Sequence, residues 1–219
     1  MAIPSIAPYP MLTDADIPAD ALLWRCESQR AALLIHDMQR YFLAPFPPAV
    51  PPLSTLMTNV ARITTAARAA GLPVIYTAQP GGMTPRQRGL LADVWGPGMS
   101  TDPSERQIVE ELTPAPGDMV LTKWRYSAFS RSPLEELLAR HQRDQLIICG
   151  VYAHVGCLMT ACDAFTRDIQ PFLVIDAMAD FDAGYHQLAV RYAAERCART
   201  LTSDNLIAEL RRPATTVRG

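Results

Sequence analysis

Apolar positions follow two rhythms along the chain, and the two rhythms alternate. Six short runs are almost continuously apolar: AALLIHD (31–37), PVIYTAQ (73–79), DMVLTKW (118–124), DQLIICGVY (144–152), PFLVIDA (171–177) and RTLTS (199–203). Unbroken rather than alternating hydrophobicity is the mark of strands covered on both faces. Between the runs the period lengthens to that of a helix. Leu53 to Ala70 carries Leu56, Val60, Ile63 and Ala67 on one stripe and stops at Gly71, a residue suited to the left-handed position after a helix. SPLEELLARH (132–141) predicts a helix capped by Ser132, with Pro133 at its first position and Glu135 closing a capping box. Val155, Leu158, Met159, Cys162 and Phe165 predict the apolar stripe of a helix directly after the fourth strand. Asp182 is expected to cap the next helix, which would bury Leu188, Val190, Tyr192 and Ala194.

Such alternation predicts an α/β fold: a parallel sheet with helices on both faces, joined by right-handed crossovers. Ligands in such sheets bind at the carboxyl ends of the strands, where the strand order reverses. The Pro-rich stretch APFPPAVPPL (44–53) and the Gly- and Pro-rich stretch 80–103 read as long loops able to close over that end.

Composition narrows the partners. With 219 residues, 49% apolar and 19% charged, the chain has the profile of a soluble single domain, expected to span 1–219. A net charge of −2 provides no basic field, so nucleic acid is not an expected partner. The first twenty residues lack a basic n-region and an apolar h-region, and no apolar run approaches the ~20 residues of a membrane span. Five cysteines without a C-x-x-C pair are expected to be reduced, in a cytoplasmic protein.

No dinucleotide, P-loop or G-x-S-x-G motif occurs. His36, His141, His154 and His186 lie in no metal-ligand spacing, so neither a metal nor a cofactor is expected. The strand ends are more informative: Asp37, Gln79, Lys123 and the Tyr152–Gly156 turn would converge on one face, suiting an anionic substrate that needs a proton. Each also has a plain alternative. Asp37 has the position of a turn residue, and Lys123 could lead its charge out to solvent. Arg86, Arg88 and Arg106 lie on polar helix faces, and Trp95 and Trp124 are of a type that is usually core.

RAALLIHDMQRYF (30–42), YTAQPGGM (76–83), LLADVWGPG (90–98), LTKWRYSAF (121–129) and GVYAHVGC (150–157), with DAF, DIQPFLV and ADF after them, closely resemble the isochorismatase family. The resemblance runs in order from about Pro18 to Ile207 and covers both the siderophore-pathway isochorismatases and the phenazine-pathway hydrolases of 2-amino-2-deoxyisochorismate. It implies a three-layer αβα sandwich around a six-stranded parallel, Rossmann-like sheet. It also implies cleavage of an enolpyruvyl vinyl ether to pyruvate and a dihydroaromatic acid, with a chorismate-derived dicarboxylate as the substrate and a homodimer as the assembly. RYFL, PGGM and WGPGM lean toward the amino substrate and VGC toward the hydroxyl one, the balance lying slightly with the amino. Siderophore-type members often continue into an aryl carrier domain. With its end at Gly219, this chain is expected to have none.

Cysteine hydrolases of the wider superfamily, nicotinamidases among them, place a nucleophilic Cys six residues after the glycine of a GV turn. Counted from Gly150, that residue here is Gly156, and Cys157 comes one step late, about 100° further round a helix. Cys157 is therefore expected to pack rather than attack, and a cysteine-dependent amidohydrolase becomes the alternative reading. A vinyl ether needs no protein nucleophile, only an acid for its terminal carbon. The resemblance assigns catalysis to Asp37, Lys123 and Gly156, substrate binding to Gln79, Arg88 and Tyr152, and the pocket wall to Phe42, Trp95 and Tyr126. It also implies a cis Val151–Tyr152 peptide. To act as the acid, Asp37 is expected to be raised by burial and by the substrate's own carboxylates arriving beside it, with Lys123 pairing chiefly with a substrate carboxylate in the complex.

Overall fold

The six apolar runs become the six strands of one sheet in a computed structural model, which describes residues 3–18, 22 and 24–212. They are β1 (Ala31–His36), β2 (Val74–Ala78), β3 (Met119–Thr122), β4 (Gln145–Val151), β5 (Gln170–Ala179) and β6 (Arg199–Leu201). Their order is β3-β2-β1-β4-β5-β6, and every neighbouring pair is parallel. The helices are α1 (Arg40–Leu43), α2 (Leu53–Ala69), α3 (Pro85–Arg88), α4 (Leu91–Trp95), α5 (Pro103–Arg106), α6 (Leu134–Arg140), α7 (Leu158–Phe165), α8 (Ala183–Arg196) and α9 (Ser203–Leu210). A π-helical turn, Ala153–Cys157, leads from β4 into α7.

All of β1 and β4 is buried, yet the two faces remain distinct. Leu33, Ile35, Ile147 and Cys149 point into one apolar cluster with α2 and α9. Ala32, Leu34, Leu146 and Ile148 point into a second cluster with α6, α7 and α8. A strand buried on both sides keeps its period of two while its hydrophobicity looks continuous. Strand order reverses between β1 and β4, so the chain leaves their carboxyl ends in opposite directions and opens a crevice there.

Gly71 ends α2 with φ +72°, and Asp182 caps α8 by accepting from the Tyr185 N–H at 2.8 Å, both as expected. The capping box at Ser132 is not formed. α6 begins at Leu134, whose N–H donates to Ser132 Oγ at 3.3 Å, while Glu135 pairs with Arg167.

The stripes read for α7 and α8 need a larger correction. Leu158, Val190 and Ala194 are buried, but Met159, Phe165, Leu188 and Tyr192 are 36–49% exposed. The packed face consists instead of Ala161, Ala164, Ala189 and Ala193 beside Cys157. These helices lie close against the sheet and each other, and close approach selects small side chains over bulky ones.

Candidate active site

Asp37 follows the last residue of β1 and has a left-handed backbone with φ 52°, uncommon for a residue with a Cβ. Thr77 of β2 secures that turn twice. Its Oγ1 accepts from the Asp37 N–H at 3.1 Å and donates to Asp37 Oδ1 at 2.6 Å. Lys123, just beyond β3, donates from Nζ to Asp37 Oδ2 at 2.8 Å. Both members of this ion pair are buried.

The structure corrects one reading here: Lys123 does not lead its charge out to solvent, since its buried ammonium is engaged by Asp37. Without substrate, the Asp37 carboxyl is not raised on balance. Burial pushes it up, but the Lys123 charge and the hydrogen bonds from Lys123 and Thr77 outweigh burial and hold it below its ordinary value. In the empty pocket Asp37 is a carboxylate.

The long stretch after β2 folds over this pair as the short helices α3, α4 and α5. Gln39 fastens it to the end of β1. Its Nε2 donates to the carbonyls of Gln79 (3.0 Å) and Arg106 (2.6 Å), and its Oε1 accepts from the Gln79 N–H at 2.7 Å. Thr84 caps α3 and Pro85 opens it, which turns Arg88 inward. Arg88 is only 6% exposed, so the solvated-charge reading fails for it. Its Nε donates to the Gly96 carbonyl (2.9 Å) and its Nη1 to Gln79 Oε1 (3.4 Å). No carboxylate pairs with it among the described residues, and burial lowers its pKa. Gly98, with φ +79°, makes room for it, since a Cβ there would lie 2.8 Å from the guanidinium carbon.

The third wall is the turn after β4. The Val151–Tyr152 peptide is cis, as the resemblance implied. Tyr152 lines the pocket, but its hydroxyl donates to the Phe42 carbonyl at 2.6 Å. The proton of that hydroxyl is thus spent within the fold, which leaves the ring and backbone of Tyr152 to face the pocket. Trp95 Nε1 donates to Tyr126 Oη at 2.8 Å, joining two of the expected wall residues, and Phe42 packs edge-on to Tyr152.

These residues enclose a cavity of about 530 Å³, counting its open mouth, and all nine expected site residues line it. Sequence reading missed His36, Thr77, Gln39, Tyr41 and Phe181. A histidine or glutamine in an otherwise apolar strand end was the available signal for two of them. Cys157 lies outside the lining, wholly buried in the second apolar cluster, and burial raises its thiol well above the ordinary value. It packs, as expected. No group of three or more His, Cys, Asp or Glu side chains suited to a metal occurs among the described residues. Chemically, the pocket offers one carboxylate–ammonium pair, one guanidinium without a carboxylate partner among the described residues, an amide and aromatic walls. No cysteine or serine is among its lining residues.

A family model described as the isochorismatase domain matches residues 31–205. Phenazine biosynthesis protein PhzD of Pseudomonas fluorescens is 54% identical over 205 residues, spanning 94% of this chain and 98% of that protein. The isochorismatase of Bacillus subtilis is 50% identical over 210 residues, spanning 96% and 67% respectively. The crystal structure of a cysteine hydrolase from Pseudomonas syringae pv. phaseolicola shares the fold, with a TM-score of 0.78 over 92% of this chain and 97% of that one, at 21% identity.

Proposed function

The chain belongs to the isochorismatase family, and from that premise we propose that its pocket hydrolyses the enolpyruvyl vinyl ether of 2-amino-2-deoxyisochorismate or isochorismate. The products are pyruvate and, respectively, 2,3-dihydro-3-hydroxyanthranilate or 2,3-dihydro-2,3-dihydroxybenzoate. The observation that carries this reading is a buried acid–ammonium pair in a cavity lined by no cysteine or serine. A thiol amidohydrolase needs a nucleophile in contact with substrate, and Cys157 points away into the core.

Arg88, buried without a carboxylate partner and flanked by Gln79, is suited to one substrate carboxylate. The second carboxylate comes to lie beside Lys123 and Asp37. Its negative charge reverses the balance in the empty pocket, so the Asp37 carboxyl rises and takes up a proton as substrate binds. Asp37 then gives that proton to the terminal methylene carbon, a C–H bond forms and an oxocarbenium ion results. Water adds to the cation, and the proton it sheds returns to the Asp37 carboxylate. The hemiketal collapses by breaking the bond between the former vinyl carbon and the ether oxygen, which departs on the ring as a hydroxyl. Lys123 stabilises the ionised Asp37 at both ends of this cycle.

The PhzD relative at 54% identity supports the amino substrate, while the isochorismatase at 50% keeps the hydroxyl one close behind. The two differ by one heteroatom in a pocket that grips carboxylates, so turnover of both is expected. The remaining parts of the reading are a homodimer and a cytoplasmic location, the latter supported by five free cysteines of which four are buried. Purified protein without added metal is to be incubated with each substrate while pyruvate is followed through a coupled dehydrogenase. Rapid release from either establishes the reaction and the ratio of rates assigns the substrate. No release from either sinks the proposal.

A further inference from the structure

One residue of the pocket neither gives nor takes the proton of the acid chemistry. His36 ends β1, a strand otherwise built of Ala, Leu and Ile, and it is completely buried. Its Nδ1 lies 2.8 Å from the Val151 carbonyl oxygen and 3.7 Å from Asp37 Oδ2. Burial, reinforced by the Lys123 charge, pushes it down to about 4, so the ring is neutral at neutral pH. A carbonyl only accepts, hence Nδ1 carries the proton. Nε2 has no partner in hydrogen-bonding geometry among the described residues.

The ring faces Gly156. A Cβ at that position would overlap His36 Cε1 and lie 2.8 Å from both ring nitrogens. Gly156 sits in the π-helical turn, outside the left-handed region, so its backbone would accept any residue. The three atoms nearest to such a Cβ all belong to the imidazole. Gly150 is locked to the same residue, since a Cβ on it would run into the His36 carbonyl and come within 2.8 Å of the His36 nitrogen.

We infer that His36 is the specificity-determining residue of this pocket: its imidazole fills the volume into which a side chain at 156 would project. The place at the mouth of the β4–α7 turn that could hold a nucleophile is thereby closed. The pocket is left with the acid chemistry of Asp37, whose carboxylate the same ring flanks. This deepens the vinyl-ether reading and rests on it for the reaction chosen, whereas the steric exclusion is independent of substrate.

The test is a double-mutant cycle in the full chain, read by thermal unfolding and by pyruvate release. Gly156→Ala is expected to lower Tm by about 5 °C or more, the usual effect of overpacking, and to slow turnover at least tenfold. His36→Ala is expected to lower Tm by leaving a void. In the double variant the two losses do not add, because the methyl at 156 occupies the vacated space. Additive losses, or a Gly156→Ala protein with the parent's Tm, overturn the inference.

Should Gly156→Ala fail to fold, a thiol reports the same coupling. Gly156→Cys is to be made with and without His36→Ala, treated with iodoacetamide and mapped by tandem mass spectrometry. Half-buried Cys162 serves as an internal reference, since its hydrogen bond with Cys197 draws its thiol down to about 7. Alkylation at 156 only in the His36→Ala background, or at least tenfold faster there, is the expected result. Equal alkylation in both backgrounds overturns the inference. A parent protein that releases no pyruvate defeats the vinyl-ether reading yet leaves this coupling intact, so the two failures are separable. His36→Asn keeps a donor for the Val151 carbonyl and is expected to preserve the pH profile of kcat better than His36→Ala, which marks positioning of Asp37 rather than bulk alone.

Discussion

Two buried carboxylates stand at the carboxyl ends of β1 and β5, on either side of β4, and only one of them belongs to the pocket. Asp180, after β5, is held by the scaffold itself. Its Oδ2 accepts from the His154 N–H at 2.6 Å, and its Oδ1 accepts from His154 Nδ1 at 2.7 Å and the Phe181 N–H at 2.8 Å. Its own N–H donates to Tyr9 Oη at 2.7 Å. Among the described residues the Asp37 carboxylate receives hydrogen bonds from two side chains, Thr77 and Lys123, and from no backbone amide. Backbone amides cannot turn away, but an ammonium on four methylenes can change partners. Asp180 stitches the β4–α7 turn together, while Asp37 is an acid whose surroundings can be rewritten by a ligand.

The sharpest way to break this contrast is to make the same substitution at both sites. Asp37→Asn removes the proton donor and is expected to cut kcat by about a thousandfold or more, within the range a general acid supplies. Its Tm falls less than that of Asp180→Asn, because the amide oxygen still accepts from Lys123. Asp180→Asn surrenders charge-assisted bonds to two backbone amides and an imidazole, at a cost of about 2–4 kcal/mol. The kcat of its folded fraction is expected to stay within about tenfold of the parent. Pyruvate release and thermal unfolding of the pair decide the matter. If Asp180→Asn is the dead enzyme and Asp37→Asn the unstable one, the assignment is reversed.

A pH profile tests the claim that substrate rewrites the surroundings of Asp37. In the free enzyme this carboxyl lies below its ordinary value, so it is ionised throughout the neutral range. The transition state then carries one proton more than free enzyme and substrate together. The expected outcome is that kcat/KM falls about tenfold per pH unit between roughly pH 6 and 8, about a hundredfold in all. kcat reports the complex, where the substrate's carboxylates raise the group, and is expected to stay level to higher pH. A level kcat/KM over that interval means that the proton already resides on the free enzyme.

Arg88 extends the comparison from the acid to the anchor. Its fork is fixed by Gly96 and Gln79 and has no acid of its own. Arg88→Lys keeps the charge but loses the planar pair of donors, so KM is expected to rise about 10–30-fold, with kcat changed by less than about threefold. A KM within twofold of the parent would mean that the guanidinium serves the lid rather than the substrate.

How far the sequence reveals this depends on whether neighbours along the chain or across the fold do the work. The strands were legible because both-face burial writes itself as an unbroken apolar run, and α2 because its stripe is long and its stop is a glycine. The site was legible through motif stretches whose residues converge at the strand ends. The outward faces of α7 and α8 were not, because a periodicity reading sends the bulkiest apolar residues inward. Ala161, Ala189 and Ala193, which do the packing, carry little signal. That a nearby Lys123 would lower Asp37 was legible, but the contact itself was not, since the distance depends on how β1, β2 and β3 lie side by side rather than on sequence spacing. The role of His36 depends on Gly156, 120 positions away and across the β1–β4 seam.

Tyr152 is the smallest and most exacting case, since resemblance assigns it to substrate binding while the structure commits its hydroxyl to Phe42. The ring is wedged between Phe46, stacked at 6.0 Å, and Phe181 at 4.5 Å, while the hydroxyl reaches the Phe42 carbonyl at 2.6 Å. Burial raises this phenol far above its ordinary value, so it remains a neutral donor at any working pH. Tyr152→Phe keeps the wedge and leaves one buried carbonyl short of a partner, a loss of about 1–2 kcal/mol and a few degrees of Tm. Turnover is expected to stay within about threefold, with KM scarcely changed, because no substrate hydrogen bond has been removed. Tyr152→Ala removes the wedge as well and is expected to cost about 3–5 kcal/mol. A Tyr152→Phe enzyme with parental Tm but a tenfold higher KM would return the hydroxyl to the substrate and move Tyr152 from the scaffold's side of the comparison to that of Asp37.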